Sequence, residues 1–182
     1  EIYKTFANKK LDHTVRAKIY ASVLKHLPAY YTASKTRIRT SILRYLKELK
    51  DKPYVAKHYV AALGQDPYSY AYLKEAAIDS GVVTIRTAGM EALSKIVSGK
   101  SFVNTFRSRS NRVKIEILDI IKEQFAKGDV GTMAIGAGIL SNEKIGYRNL
   151  IQNDSFLIAA AAKLSLPREI ETYNEIKKAL AY

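Results

Sequence analysis

The sequence predicts an all-α fold of about nine or ten helices, each of roughly 10–17 residues and joined by short loops. Three observations favour it. Apolar residues recur with the 3.6-residue period of an amphipathic helix along most of the chain. Helix-start residues precede several of these segments, and alternating strand patterns with hairpin turns are nearly absent. The 9 glycines and 4 prolines among 182 residues also favour long regular elements.

The clearest amphipathic segments are residues 15–27, 36–49 and 110–125. Ser and Asp accept hydrogen bonds from the first free N–H groups of a helix, and Pro suits its first turn. We therefore expect helices to begin at Ser34 before KTRIRTSIL, Asp66-Pro67 before YSYAYLKEAA, Asp154-Ser155 before FLIAAAAKL, and Pro167 in PREIETYNEIKKAL.

A short motif recurs at the start of three predicted helices. It consists of a β-branched residue, an arginine, a small residue and an apolar helical run that ends in Leu, and the intervals between its copies are unequal. Because an isolated arginine among apolar residues says little and a recurring one indicates a structural pattern, we expect these arginines to be structural. The three pairs are Val15-Arg16, Ile38-Arg39 and Ile85-Arg86.

The fullest copy, Asp12-His13-Thr14-Val15-Arg16, resembles the start of the second helix in HEAT and armadillo repeats. The resemblance implies a HEAT-like α-α superhelix in which residues 1–182 form a single helical-repeat domain. In that family the Asp and Arg hydrogen-bond between neighbouring units and cap helix ends. It therefore implies a structural ladder made of Asp12, Arg16, Arg39 and Arg86.

The C-terminal stretch REIETYNEIKKALAY resembles the end of helical-repeat regions that precede a cyclophilin-type prolyl isomerase module in some multidomain bacterial proteins. The chain opens with Glu1-Ile2 and stops within a helical pattern, so we expect a fragment of a larger protein. The resemblance implies an accessory domain of such an isomerase. Any isomerase activity would then belong to residues beyond Tyr182, and this chain would not itself be catalytic.

No pattern in the sequence marks a metal, cofactor or catalytic site. The chain has no Cys, which excludes disulfides, thiolate ligands and cysteine nucleophiles. Its three histidines, His13, His26 and His58, lie far apart, and none has a ligand partner one helical turn away. We therefore expect neither a cofactor nor a metal ion.

The glycine-rich stretch GDVGTMAIGAGILSN does not match a phosphate-binding loop. Gly131 and Gly136 have the outer spacing of a P-loop, but Ala137 stands where Lys is required. Glycines inside a helical pattern usually have a packing reason. We therefore expect Gly131, Gly136 and Gly138 to allow a neighbouring helix to approach closely.

The net charge of +13 is spread along the chain and favours anionic partners in general. No apolar run reaches the roughly 18 residues of a membrane span, so no transmembrane segment is expected. The composition leaves a cytoplasmic or an exported location open, and it leaves the oligomeric state open.

Two groups of residues are candidates for partner binding. The stretch GKSFVNTFRSRSNRVK interleaves basic residues with Ser, Asn and Phe. This pattern fits an inter-helix connection that holds an acidic peptide or phosphates, and it equally fits a solvated connection whose phenylalanines pack against the core. Tyrosines suit protein recognition, although they also suit amphipathic packing. A protein or peptide partner is the first hypothesis, and nucleic acid on a basic concave face, as in HEAT-like DNA glycosylases, is the alternative. The candidate binding residues are Arg107, Arg109, Arg112, Lys114, Tyr68, Tyr70 and Tyr72.

Overall fold

The computed structural model describes residues 11–28, 30–99, 111–142, 146–147, 155–164 and 169–181. Nine α-helices and no β-strand occur among these residues, which confirms the all-α prediction. By contacts between Cα atoms the chain divides into two compact units, Glu1–Ala92 and Leu93–Tyr182. A continuous superhelix over 1–182 stays a prediction.

The first unit begins with a capped helix. The Asp12 carboxylate accepts the backbone N–H groups of Thr14 and Val15 at 2.8 and 3.2 Å. Both bonds hold the pKa of the Asp12 carboxyl below its ordinary value, and the bond from Val15 has the larger effect. The helical elements that contribute to this unit are α1 (His13–His26), α2 (Thr32–Glu48), α3 (Pro53–Leu63), a 3₁₀ turn (Pro67–Ser69), α4 (Tyr70–Leu73), a π-helical turn (Lys74–Ile78) and α5 (Val83–Ser98).

The first three helices run up, down and up. His13, at the start of α1, contacts Tyr45 near the end of α2. Lys35, near the start of α2, bonds to Asp66 just after α3. One end of the unit therefore holds the end of α1, the start of α2 and the end of α3. Fully or nearly fully buried side chains between these helices include Tyr20, Leu24, Ile42, Tyr59, Val60 and Leu63.

The second unit contains α6 (Asn111–Lys127), α7 (Val130–Leu140), α8 (Ser155–Ala162) and α9 (Ile170–Ala181). Asp129 caps α7, because its carboxylate accepts the Thr132 N–H at 2.9 Å. Helix α9 packs mainly on α7, and α6 packs on both α7 and α8. The buried side chains of the second unit include Ile117, Ile121, Phe125, Met133, Leu157 and Ile176.

The predicted helix starts are only partly correct. Helix α2 begins before Ser34, with Tyr31 at its N-cap position, so Ser34 lies inside the helix and does not cap it. Asp66 stands at the N-cap of the 3₁₀ turn, but its side chain makes no capping bond. Asp154 and Pro167 lie outside the described residues, while Ser155 does open α8.

The glycines of α7 differ in their surroundings. A Cβ on Gly136 would lie 2.7 Å from Phe125 Cε1 and 3.0 Å from Ile121 Cγ2, so close packing holds there. Gly131 and Gly138 are exposed, and a Cβ on Gly138 would meet nothing within 4 Å. The close-packing expectation is therefore wrong for these two.

We expect Gly136→Leu to lower the free energy of unfolding by about 1–3 kcal/mol, because the added side chain must displace Phe125 or Ile121. The matched control is Gly138→Ala, which fills open space on the same helix and should raise stability by about 0.5–1 kcal/mol through its better helix propensity. Urea unfolding followed by circular dichroism measures both. An unchanged midpoint for Gly136→Leu would contradict the packing described here.

Candidate functional site

A buried ion cluster joins the start of α2 to the turn that follows α3. The Asp66 carboxylate, only 1% exposed, binds two cations from α2. Lys35 Nζ donates to Oδ1 at 3.1 Å, and Arg39 Nε donates to Oδ2 at 3.0 Å, with a second bond from Arg39 Nη2 to Oδ2. The Ser69 hydroxyl lies 3.3 Å from both Arg39 Nε and Asp66 Oδ2. Asp66 is thus the shared acceptor of the cluster.

The cluster depends on that single carboxylate. Two cations against one carboxylate leave a formal charge of +1, and both cationic side chains are less than a tenth exposed. Burying a charge is costly unless it is paired. The Tyr72 ring, with its centroid 5.6 Å from the Arg39 guanidinium carbon, adds a cation–π contact. Loss of Asp66 would leave two buried cations without their counter-charge.

The ion cluster also fixes where several exposed tyrosines lie. Tyr31 immediately precedes α2 and Tyr68 follows Asp66 by two residues, so the Lys35–Asp66 pair holds both segments at one end of the first unit. Tyr30 is 76% exposed, Tyr31 46% and Tyr68 45%. The rings of Tyr30 and Tyr31 lie 4.5 Å apart between centroids. We call this surface the tyrosine edge; it consists of Tyr30, Tyr31 and Tyr68 with Lys25, His26 and Arg37 from the adjoining helix turns.

The stretch that supplies most of the tyrosine edge contains no acidic residue. No Asp or Glu occurs from residue 13 to residue 47. Asp66, two residues before Tyr68, is buried in its ion cluster. At the opposite end, Glu75 lies 3.9 Å from Lys47. One further exposed acid of the first unit, Glu91 on α5, adjoins Ala92, which lies 3.0 Å from where a Cβ on Gly64 would stand. The exposed acids among residues 11–79 belong to the opposite end, and they are Asp12, Glu48, Asp51, Glu75 and Asp79.

A second cluster of polar aromatic side chains lies between α1, α2 and α3. The rings of Tyr45 and Tyr59 stack with centroids 5.2 Å apart, and His13 Nδ1 lies 3.0 Å from the Tyr59 hydroxyl. Tyr20 contacts both tyrosines at 6.3 Å. The Arg16 guanidinium carbon lies 4.9 Å from the Tyr45 centroid, and Arg16 is 4% exposed. The rings therefore surround a buried cation.

Burial controls the ionisation of the tyrosines in this aromatic cluster. It raises the pKa of Tyr59 from 10.0 to about 12, although a hydrogen bond with Arg16 and the Arg16 charge oppose the rise. Burial also raises the pKa of Tyr20, with Tyr45 adding to the effect. Both hydroxyls stay protonated at neutral pH, so neither tyrosine is tuned as a general base.

The four predicted ladder residues make different contacts. Asp12 caps α1, Arg16 belongs to the aromatic cluster and Arg39 belongs to the ion cluster. Arg86 Nη1 donates to the Ser80 carbonyl oxygen at 2.9 Å, which ties α5 to the segment that precedes it. A ladder that links successive repeat units stays a prediction.

The structure describes only one of the three predicted binding arginines, Arg112, because Arg107 and Arg109 lie outside the described residues. Arg112 lies in the first turn of α6 rather than in a connection, and its Nε donates to Glu116 Oε1 at 3.1 Å. Lys114, on the same helix, is half-buried. Arg112 is thus paired with Glu116, an acid that lies just beyond the stretch of sequence in which no acid occurs.

The predicted tyrosine trio is divided by the structure. Tyr68 is exposed, whereas Tyr70 and Tyr72 on α4 are half-buried, with Tyr72 facing Arg39. The more exposed Tyr30 and Tyr31 were missed by sequence reasoning. The acid-free stretch from 13 to 47, with two adjacent tyrosines between its helices, was the signal available.

In the second unit, α7 and α9 border an open depression of about 440 Å³. Its rim includes the Lys178–Glu175 pair, with an N–O distance of 2.6 Å. The depression is lined by Ala134, Glu171, Thr172, Asn174, Glu175 and Lys178.

Across the part of the chain that the structure describes, no three His, Cys, Asp or Glu side chains gather as a metal site. Within the same residues, no helix has the length and apolar character that crossing a bilayer requires.

Comparisons with protein-family models, curated proteins and solved structures find no match to this chain. The resemblances to HEAT repeats and to regions that precede cyclophilin modules therefore stay predictions.

We expect Asp66→Asn to lower the free energy of unfolding by about 3–5 kcal/mol, because two buried cations lose their counter-charge. Glu48→Gln is the matched control. It removes one charge from the exposed Arg44–Glu48 pair and should change stability by less than about 1 kcal/mol. Urea titration measures both variants, and equal effects from the two substitutions would contradict the description of Asp66 as the centre of the cluster.

Alkaline pH should destabilise the first unit through Tyr59. The pKa of Tyr59 is about 12 in the folded state and 10.0 in the unfolded state. The stability that comes from keeping its hydroxyl protonated is therefore fully present below pH 10 and is lost as the pH rises to about 12. Tyr59→Phe should show a shallower decline of unfolding free energy over that range, whatever its stability at neutral pH. Parallel declines for the two proteins would show that Tyr59 ionises normally.

Proposed function

We propose that this chain is a helical-repeat module that binds a protein or peptide, and that it serves as an accessory domain rather than as an enzyme. The observation that carries the proposal is the order of helix packing. Helix α1 packs more extensively on α3 than on the intervening α2, and α9 packs mainly on α7 rather than on α8. Contact between alternate helices occurs where helical hairpins stack, as it does in an up-down-up bundle, and stacked hairpins present extended surfaces for partners.

Exposed aromatic residues support a protein partner. Tyrosine combines a large rigid ring with a polar hydroxyl and is enriched among the residues that dominate interfaces. Tyr30 is 76% exposed and its neighbour Tyr31 is 46% exposed, which is high for side chains of this size. Both lie in the first unit, so this unit is the favoured location for binding.

The cations of residues 13–47 favour protein over nucleic acid as the partner of this stretch. Residues 13–47 contain eight Lys or Arg, but three of them, Arg16, Lys35 and Arg39, are buried. Arg44 and Lys47 pair with exposed acids. The three that remain exposed in this stretch are fewer than the roughly 6–10 phosphate contacts of duplex-binding proteins, so residues 13–47 do not by themselves form a duplex-binding surface. These three cations are Lys18, Lys25 and Arg37.

Selection of random peptides displayed on phage tests the proposal. We expect selection against the chain to converge on related sequences that bind with micromolar affinity and are released unchanged. A parallel selection against an unrelated helical protein of similar net charge removes peptides that bind through charge alone. Failure to enrich any sequence, or salt-dependent binding to duplex DNA that is tighter than to any peptide, would contradict it.

A further inference from the structure

We propose that the tyrosine edge is the surface that binds the partner, and that the segment it binds is an acidic peptide carrying at least one aromatic side chain. This inference rests on the proposed function and adds the place and the chemical class of the partner. It is carried by exposed rings, exposed cations and a buried ion cluster that supports them at one end of the first unit.

The rings provide a contact surface that is already arranged. Tyr30 and Tyr31 lie against each other with centroids 4.5 Å apart and 36° between their planes, yet both remain largely exposed. A contact surface that is ordered before binding loses less conformational entropy when the partner arrives. An aromatic side chain of the partner can pack against such rings, while their hydroxyls donate to carboxylates.

The charge at this edge fits an acidic segment. Lys25 and Arg37 are exposed cations beside the exposed imidazole of His26, and Asp66, on the turn that bears Tyr68, is buried against two cations of its own. A carboxylate from a partner therefore meets no exposed acid from residues 13–47. Arg37 can hold such a carboxylate through two parallel hydrogen bonds.

The support beneath the edge is rigid. The Lys35–Asp66 and Arg39–Asp66 pairs fasten the start of α2 to the turn that bears Tyr68. Because the pairs are buried, they are screened less by salt than surface pairs. The relative positions of Tyr31 and Tyr68 are then maintained at ionic strengths that weaken binding of the peptide itself.

The opposite end of the first unit offers a matched control. Tyr54 is 72% exposed there, and Lys57 Nζ lies 5.6 Å from its ring centroid. The exposed acids Glu48 and Asp51 occur at that end, so it presents similar rings and cations without the same excess of positive charge.

The test uses peptides selected by phage display, synthesised with a fluorescent label and measured by fluorescence polarisation. We expect the selected sequences to be rich in Asp and Glu and to contain an aromatic residue. Tyr30→Ser with Tyr31→Ser, and separately Lys25→Glu with Arg37→Glu, should each weaken binding by about tenfold or more. The controls Tyr54→Ser and Lys50→Glu with Lys52→Glu should change it by less than about twofold. Circular dichroism establishes that each variant is folded.

The outcomes separate this inference from the proposed function. Selected peptides that lack acids, or that lose affinity with the control variants and not with the edge variants, would overturn the inference and leave the proposed function standing. Absence of any selected peptide would overturn both. A labelled DNA duplex that displaces the peptide and binds more tightly through the same edge residues would assign the edge to nucleic acid instead.

Discussion

The buried Asp66 carboxylate is the constraint on which the organisation of the first unit depends. It is the shared partner of Lys35 and Arg39, which lie one turn apart on α2, and it belongs to a turn that follows α3. Neither cation is stable in a buried position without it. The chain must therefore bring the start of α2 and the end of α3 together, and the two segments that carry Tyr31 and Tyr68 are held at the same end as a consequence.

The same constraint separates structural charge from surface charge. The high net charge of the chain is a feature of many nucleic-acid-binding proteins. Three of the eight cations between residues 13 and 47, however, are buried against Asp66 or within the aromatic cluster. Tyrosines divide in the same way. Tyr20 and Tyr59 are buried with raised pKa values, whereas Tyr30 and Tyr31 are exposed. What remains at the surface of this stretch is a small region of rings and positive charge, which suits a short peptide better than a phosphate backbone.

Much of the helical fold could be predicted from sequence, and the site could not. The period of apolar residues located α1, α2 and α6 because burial of one helix face is encoded locally. The role of Asp66 depends on residues 27 and 31 positions away, so its local appearance as a helix cap was misleading. Gly136 and Gly138 look alike in sequence, and the positions of Phe125 and Ile121 in the folded chain distinguish them. The Arg112–Glu116 pair, in contrast, has the i,i+4 spacing that a helical assignment already implies.

Hydrogen–deuterium exchange of the chain, with and without a bound acidic peptide, tests the central claim most directly. Backbone amides at 30–38 and 64–69, which flank the ion cluster and carry the tyrosine edge, should gain protection when the peptide binds. Amides at 49–57, at the opposite end of the same unit, should exchange at unchanged rates. Protection confined to 49–57 or to the second unit would contradict the account, because the partner would then bind away from the surface that Asp66 holds in place.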